Sequence, residues 1–280
     1  MEDRHMFFIG KKIFVFVAVA AFAACLFPFQ LWGAELSAKN DADGPWKNRR
    51  AWFIDHFANE RPSSWGIFLN GVLTRVPIEE KLAAITLDAC DGRAFGYDSE
   101  LIDFLTKNGI PATLFISGLW IDAHKETFLT LALNPLFELG NHGARHKPLS
   151  TTGRKAYGIK GTVGIGSVYD EVEENARKIE GLTGRRPLFF RSGTAHYDDV
   201  AVRVVQALGY RIAGFCVNGD LGGTAVPSRV KRAILSMRGG DIILLHMNRP
   251  GSGTLSGLRQ AVPLMKERGF IFVKLSELIK

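Results

Sequence analysis

Residues 83–116 read AAITLDACDGRAFGYDSELIDFLTKNGIPATLFI. Ala83–Leu87 is a short β-rich apolar run, Ser99–Asn108 carries apolar side chains at helical spacing and stops before Gly109, and Ala112–Ile116 is a second apolar run. Strand, amphipathic helix and strand in this order make a unit whose two strands run parallel through a right-handed crossover. The unit repeats. Further runs stand at Leu136–Leu139, Leu188–Phe190, Ile212–Val217, Ile242–Leu245 and Phe270–Val273, with helical patterns at Ala123–Leu133, Tyr169–Leu182, Asp198–Leu208, Pro227–Met237 and Leu255–Arg268. Gly109, Gly184, Gly209, Gly239 and Gly269 fall where a helix end needs positive φ. Seven such runs predict an α/β fold with a parallel sheet, a barrel that is closed or nearly so, with its chemistry at the C-terminal ends of the strands.

The chain around this unit has three parts. Residues 1–34 hold Arg4, Lys11 and Lys12 ahead of a 17-residue uncharged apolar run, Ile13–Phe29, and read as an export segment. Cleavage after Ala34, retention as an anchor over residues 13–32, and a loose lipoprotein box at Phe22–Cys25 all remain open. Basic residues before the run predict that the body is translocated, to the periplasm or cell envelope. Residues 35–78 are a polar linker and lead-in, and residues 79–280 form a single catalytic domain.

Composition excludes a disordered or fibrous chain: 46% of the 280 residues are hydrophobic and 22% charged. The net charge of +7 is spread along the sequence, so it favours an anionic polymer only weakly and singles out no nucleic acid. After the export segment only Cys90 and Cys216 remain, which is neither a disulfide framework nor a CxxC metal pattern.

If chemistry sits at strand ends, the polar residues after each apolar run are its candidates. They are Asp88 and Asp91 after the first, His142 and His146 after the third, Arg191 after the fourth, Asp220 after the fifth and His246 after the sixth. Two imidazoles four residues apart with a carboxylate suit a catalytic zinc, leaving a position at which water is activated. Asp91 is read as the third ligand and Asp88 as the base, since two carboxylates this close repel unless a cation lies between them. The same Asp-rich turn would also serve to cap the next helix, and the two roles could be exchanged. Arg191 would hold Asp88 ionised, and His246 would act as a general acid oriented by Asp220.

The order Thr86-Leu87-Asp88-Ala89-Cys90-Asp91-Gly92, His142-x-x-x-His146, Phe190-Arg191, Asp220 and Leu244-Leu245-His246 resembles the NodB-like polysaccharide deacetylase family of carbohydrate esterases over about residues 70 to 280. Gly71–Pro77 is similar to members with an extended first motif. The resemblance implies a distorted (β/α)7 barrel, a divalent metal, usually zinc, and hydrolysis of N-acetyl, sometimes O-acetyl, groups on a polysaccharide. It implies Asp88 as base, Asp91, His142 and His146 as metal ligands, Arg191 positioning the base, His246 protonating the leaving amine and Leu244 lining the acetyl pocket. An acetylated envelope glycan, with peptidoglycan N-acetylglucosamine first, is the expected partner. An O-acetyl esterase on xylan or exopolysaccharide and a glycan-binding pseudoenzyme are the alternatives.

The sequence departs from the family pattern at three places. Ala89 and Cys90 separate aspartates that are usually adjacent, and Leu221 replaces an aromatic. Ser192, Gly193 and Thr194 follow the motif arginine, with His196 and Tyr197 further on, and Tyr197 is expected to bind substrate. Lys147–Ser167, rich in glycine, reads as a loop walling the substrate groove or as flexible filler. Trp46, Trp52 and Trp65 would stack on sugars or bury against the barrel.

Overall fold

A computed structural model describes residues 45–90 and 96–280. The export segment and Asp91 lie outside the described residues, and so does the side chain of Trp46.

Among the described residues nine strands form the main sheet: β1 (Val72–Leu73), β2 (Leu82–Ala89), β3 (Ala112–Ile116), β4 (Phe137–Asn141), β5 (Phe189–Phe190), β6 (Arg211–Ala213), β7 (Val217–Asn218), β8 (Ile242–His246) and β9 (Ile271–Val273). Their order is β7-β8-β2-β3-β4-β5-β6-β1, with β9 also on β2, and every pairing is parallel. The sheet curls into a half-barrel wrapped by helices, the distorted barrel that the family resemblance implies, and no ladder joins its two ends among the described residues. A parallel sheet places all its strand C-termini on one rim, so residues far apart in sequence meet there.

Alternation along β2 separates two cores. Ala83, Ile85, Leu87 and Ala89 face outward into the layer shared with the helices Ser99–Lys107 and Gly253–Glu267. Ala84 faces inward with Phe115, Phe189, Ala213 and Leu244. The same period of two holds on β8, where Ile243 and Leu245 belong to the outer core and Ile242 and Leu244 to the inner. The inner core is the floor of the rim site. A third cluster joins Phe53 and Phe57 of the helix Pro45–His56 to Val168, Tyr169 and Val172 of Gly164–Thr183 and to Val204 and Val205 of Asp199–Ala207. Arg50 and Asp170 pair across it at 2.7 Å.

The sequence pattern and the structure differ at definite places. The run Ile212–Val217 becomes two strands, because the carbonyls of Ala213 and Gly214 turn to accept hydrogen bonds from Arg191, at 3.0 and 2.8 Å. The lead-in supplies β1 at the sheet edge, paired with β6. The positive φ expected at Gly239 falls on Gly240, at 79°, while Gly109, Gly184, Gly209 and Gly269 all lie in the left-handed region. The expected loop 147–167 is more ordered than its glycines suggest. It forms a hairpin, Lys155–Ala156 with Ile159–Lys160, turned by Tyr157 and Gly158 at φ of 50° and 80°, and its last four residues open the helix Gly164–Thr183. Trp52 is half-buried against the third cluster, and Trp65 carries the Arg154 guanidinium 5.3 Å above its ring. Cys90 and Cys216 are free thiols.

Candidate active site

His246 ends its strand and Asp88 is the penultimate residue of the neighbouring one, and their α-carbons are direct partners across β8 and β2. His142 follows β4 and Arg191 follows β5, and these strands also pair, through Asn141 and Phe190. Four chemical side chains thus stand at the end of one curled stretch of sheet.

Arg191 is fully buried beneath the rim. Its guanidinium donates to Asp88 Oδ1 at 2.7 Å, Thr86 Oγ1 at 2.9 Å and the carbonyls of Ala213 and Gly214, and it lies 4.2 Å from the Phe115 ring centroid. Burial opposes ionisation of Asp88, but the Arg191 cation overrides it and holds the carboxyl below its ordinary range.

His142 is also buried, and its Nδ1 lies 2.9 Å from the Arg191 carbonyl. A carbonyl only accepts, so Nδ1 carries the proton and the neutral ring keeps a lone pair at Nε2. Burial draws the His142 pKa down and favours that neutral form. Nε2 points at two groups, Asp88 Oδ2 at 3.4 Å and Cys90 Sγ at 3.8 Å. The His146 ring sits 4.9 Å from that of His142, and one ligand atom from each of Cys90, His142 and His146 lies within 4.8 Å of the others. Around a tetrahedral zinc, with bonds of roughly 2.3 Å to sulfur and about 2.0 Å to nitrogen, such atoms stand roughly 3.5 Å apart. Two imidazoles and a thiol already gathered this closely fit a divalent cation. Burial alone would raise the Cys90 thiol, but His146 and His246 bring it down to about 7.

The segment between the two histidines is held by groups that the sequence reading did not identify. Glu171 Oε1 accepts from the backbone nitrogens of Arg145 and Lys147, at 2.9 and 3.1 Å. Asn141 Oδ1 accepts from Gly143 N at 2.9 Å and Asn175 Nδ2 at 2.8 Å. Glu171 and Asn175 are four residues apart on the buried face of Gly164–Thr183, among Val168, Val172, Ala176 and Ile179. Two polar residues interrupting an apolar stripe were the available signal.

His146 adopts φ of 57°, a conformation costing a residue with a β-carbon about 1–2 kcal/mol. Gly193 holds it there. A β-carbon on Gly193 would come 2.2 Å from the His146 carbonyl carbon and 2.3 Å from its oxygen. Gly193→Ala should therefore displace His146, costing about 1–3 kcal/mol of stability. It should also weaken zinc affinity ~10-fold or more in a competition titration, the scale of losses when ligand supports are removed. Unchanged affinity would show that His146 does not hold a cation.

On the other side of the site, His246 Nδ1 lies 2.8 Å from Asp220 Oδ1. Asp220 Oδ2 accepts from His246 N at 2.7 Å and from Thr254 Oγ1 at 2.9 Å, so the carboxylate is fixed at both oxygens. Burial works against protonation of His246, yet the bond to Asp220 raises its pKa well above the ordinary value. The shift favours the imidazolium form, whose Nε2–H can donate.

These groups line a cavity of about 480 Å³ with Asp88, Cys90, His146, Leu244 and His246 in its wall and Tyr157 and Ile159 of the hairpin beside them. Thr194 Oγ1 and Asn248 Oδ1, on residues of the same lining, have no hydrogen-bond partner among the described residues. Tyr197 is not brought to the cavity. It is fully buried in the third cluster, where its hydroxyl oxygen accepts from Ser192 N at 2.8 Å, so the substrate contact expected of it has no route.

A protein-family model for polysaccharide deacetylases matches residues 75–213, spanning β2 to β6 with Asp88, His142, His146 and Arg191. The chain belongs to the polysaccharide deacetylase family. The chain is 27% identical over 217 residues to the peptidoglycan-N-acetylglucosamine deacetylase of Bacillus cereus, covering 75% of this chain and 93% of that one. It is 23% identical over 243 residues to the peptidoglycan-N-acetylmuramic acid deacetylase PdaA of Bacillus subtilis, covering 81% and 85%. In fold it is similar to a family 4 carbohydrate esterase pseudoenzyme from Bacillus anthracis, with a TM-score of 0.63 at 20% identity over 74% of this chain and 68% of the other.

Proposed function

We propose that this polysaccharide deacetylase hydrolyses the N-acetyl groups of an envelope glycan, peptidoglycan N-acetylglucosamine first, with the help of a divalent cation. The observation carrying this reading is the convergence, at one cavity, of Asp88 paired with Arg191, His246 paired with Asp220 and a compact set of metal-binding atoms. The curated relatives that act on peptidoglycan support the substrate class. An exported body, as the apolar run at residues 13–29 leads us to propose, would meet that polymer.

His142 and His146 would hold a divalent cation, which when bound would supply Lewis acidity toward the acetyl carbonyl and water. The protein's own groups do the rest. Asp88, held by Arg191, takes a proton from the attacking water as its oxygen bonds to the carbonyl carbon. His246 gives its Nε2 proton to the departing nitrogen as the carbon–nitrogen bond breaks, leaving acetate and a free amine, while Asp220 keeps the ring aimed. Leu244 offers an apolar surface to the acetyl methyl.

Acetate release tests the reading. Full-length protein should release acetate from N-acetylglucosamine oligomers or purified peptidoglycan, lose that activity on chelation and regain it with zinc. Faster release from acetylated xylan would select the ester reading. No release from any of these by folded, zinc-supplemented protein would leave a glycan-binding pseudoenzyme.

A further inference from the structure

We infer that Cys90 is the third protein ligand of the cation, so that the centre is one thiolate and two imidazoles. The inference rests on the metal-dependent reading above and deepens it. Its first support is strand alternation. Asp88 faces the cavity, Ala89 turns into the outer core, and Cys90 returns to the cavity wall. The residue directly after Asp88 therefore offers no donor atom, and the next inward position offers sulfur.

Geometry is the second support. Cys90 Sγ lies 3.8 Å from His142 Nε2, and Cys90, His142 and His146 are the one group of three metal-binding side chains this close among the described residues. Asp88 has Oδ1 bound by Arg191 and Oδ2 3.4 Å from His142 Nε2, and it does not join the group whose ligand atoms all lie within 4.8 Å of one another. The third support is rigidity. Ser117 Oγ donates to the Cys90 carbonyl, and Ser117 N donates to the Ala89 carbonyl at 3.1 Å, so β3 and the segment after it hold the backbone that carries the thiol. Binding would exchange the thiol proton for the cation, releasing one proton per site. A thiolate in the set favours zinc and cobalt over magnesium or manganese, and it makes the centre sensitive to oxidants that attack sulfur.

The experiment is the absorption spectrum of the full-length protein loaded with cobalt(II). A thiolate ligand gives an intense near-ultraviolet charge-transfer band, and the visible ligand-field bands report cobalt binding whatever the ligands are. The expected result is that the wild type shows both. Cys90→Ser should lose the charge-transfer band and bind cobalt ~10-fold or more weakly, the least expected for a lost ligand. Cys90→Asp should recover affinity without the band, and Asp91→Asn should keep the band. Circular dichroism confirms that each variant is folded. Visible bands without the charge-transfer band in the wild type, or a band that survives Cys90→Ser, would overturn the ligand inference and leave metal dependence standing. No cobalt binding at all would overturn both.

Discussion

Asp88→Asn is expected to lower kcat on an N-acetylglucosamine oligomer by about 10²–10⁴-fold, the usual contribution of a positioned acid or base, with KM changed little. The amide is nearly isosteric and its oxygen still accepts from Arg191, so the cavity keeps its shape, but it cannot take a proton from water. Metal content makes this result specific. Cobalt or zinc affinity should stay within a few-fold of wild type, because Oδ1 is committed to Arg191 at 2.7 Å and the metal-binding atoms belong to Cys90, His142 and His146. Loss of the cation from this variant would show that Asp88 is a ligand, reversing its assignment. Full activity would remove it from the mechanism.

Arg191→Met should be the most destabilising change at the site, at about 3–5 kcal/mol, since it strands the Asp88 carboxylate in a fully buried place. At roughly 2–4 °C per kcal/mol for a body of this size, the thermal midpoint should fall by about 6–20 °C. The carbonyls of Ala213 and Gly214 also lose their donor, loosening the point where the run 212–217 divides into two strands.

The loss should depend on pH in a definite direction. In the wild type burial opposes ionisation of Asp88 and Arg191 overrides it, so the folded pKa lies below the unfolded one. The pair's stabilisation is present above the unfolded value of about 3.9 and disappears as pH falls through the folded value. Without Arg191 the largest effect opposing burial is gone and only the smaller pull of His142 and His246 is left against it, so ionised Asp88 costs the fold more as pH rises through its ordinary range. The gap in thermal midpoint between wild type and Arg191→Met should therefore widen from about pH 4 to pH 7. Adding Asp88→Leu to Arg191→Met should restore much of the stability and no activity, because an apolar pair of similar volume replaces a buried ion pair. A gap that does not vary with pH would mean the two charges are not coupled.

Much of this was legible in the sequence because it is local. The strands Ala112–Ile116 and Ile242–His246 and the helix Ser99–Lys107 lie where period and turn chemistry place them. Asp88, His142, Arg191 and His246 were singled out because each ends or directly follows an apolar run, and a parallel sheet carries all such positions to one rim. Glu171, Asn175 and Gly193 were not singled out. Their work depends on which neighbour faces them across the fold: the backbone of Arg145 and Lys147, the side chain of Asn141, and the carbonyl of His146. Tyr197 failed as a substrate contact for the same reason. Being aromatic and near Arg191 in sequence says nothing about which way its ring turns, and it turns into the core.

The sequence by itself determined the repeating units, the family, and the residue types available at the rim, since periodicity and motif order are properties of the chain alone. Only the tertiary structure decided which of those residues meet. The half-barrel brings a thiol at position 90 against imidazoles from positions 142 and 146. It also sets the carboxylate at 88 on a guanidinium drawn from a strand three places away in the sheet. Distances across a curled sheet depend on strand register and on the inward or outward turn of each side chain, and spacing along the chain encodes neither.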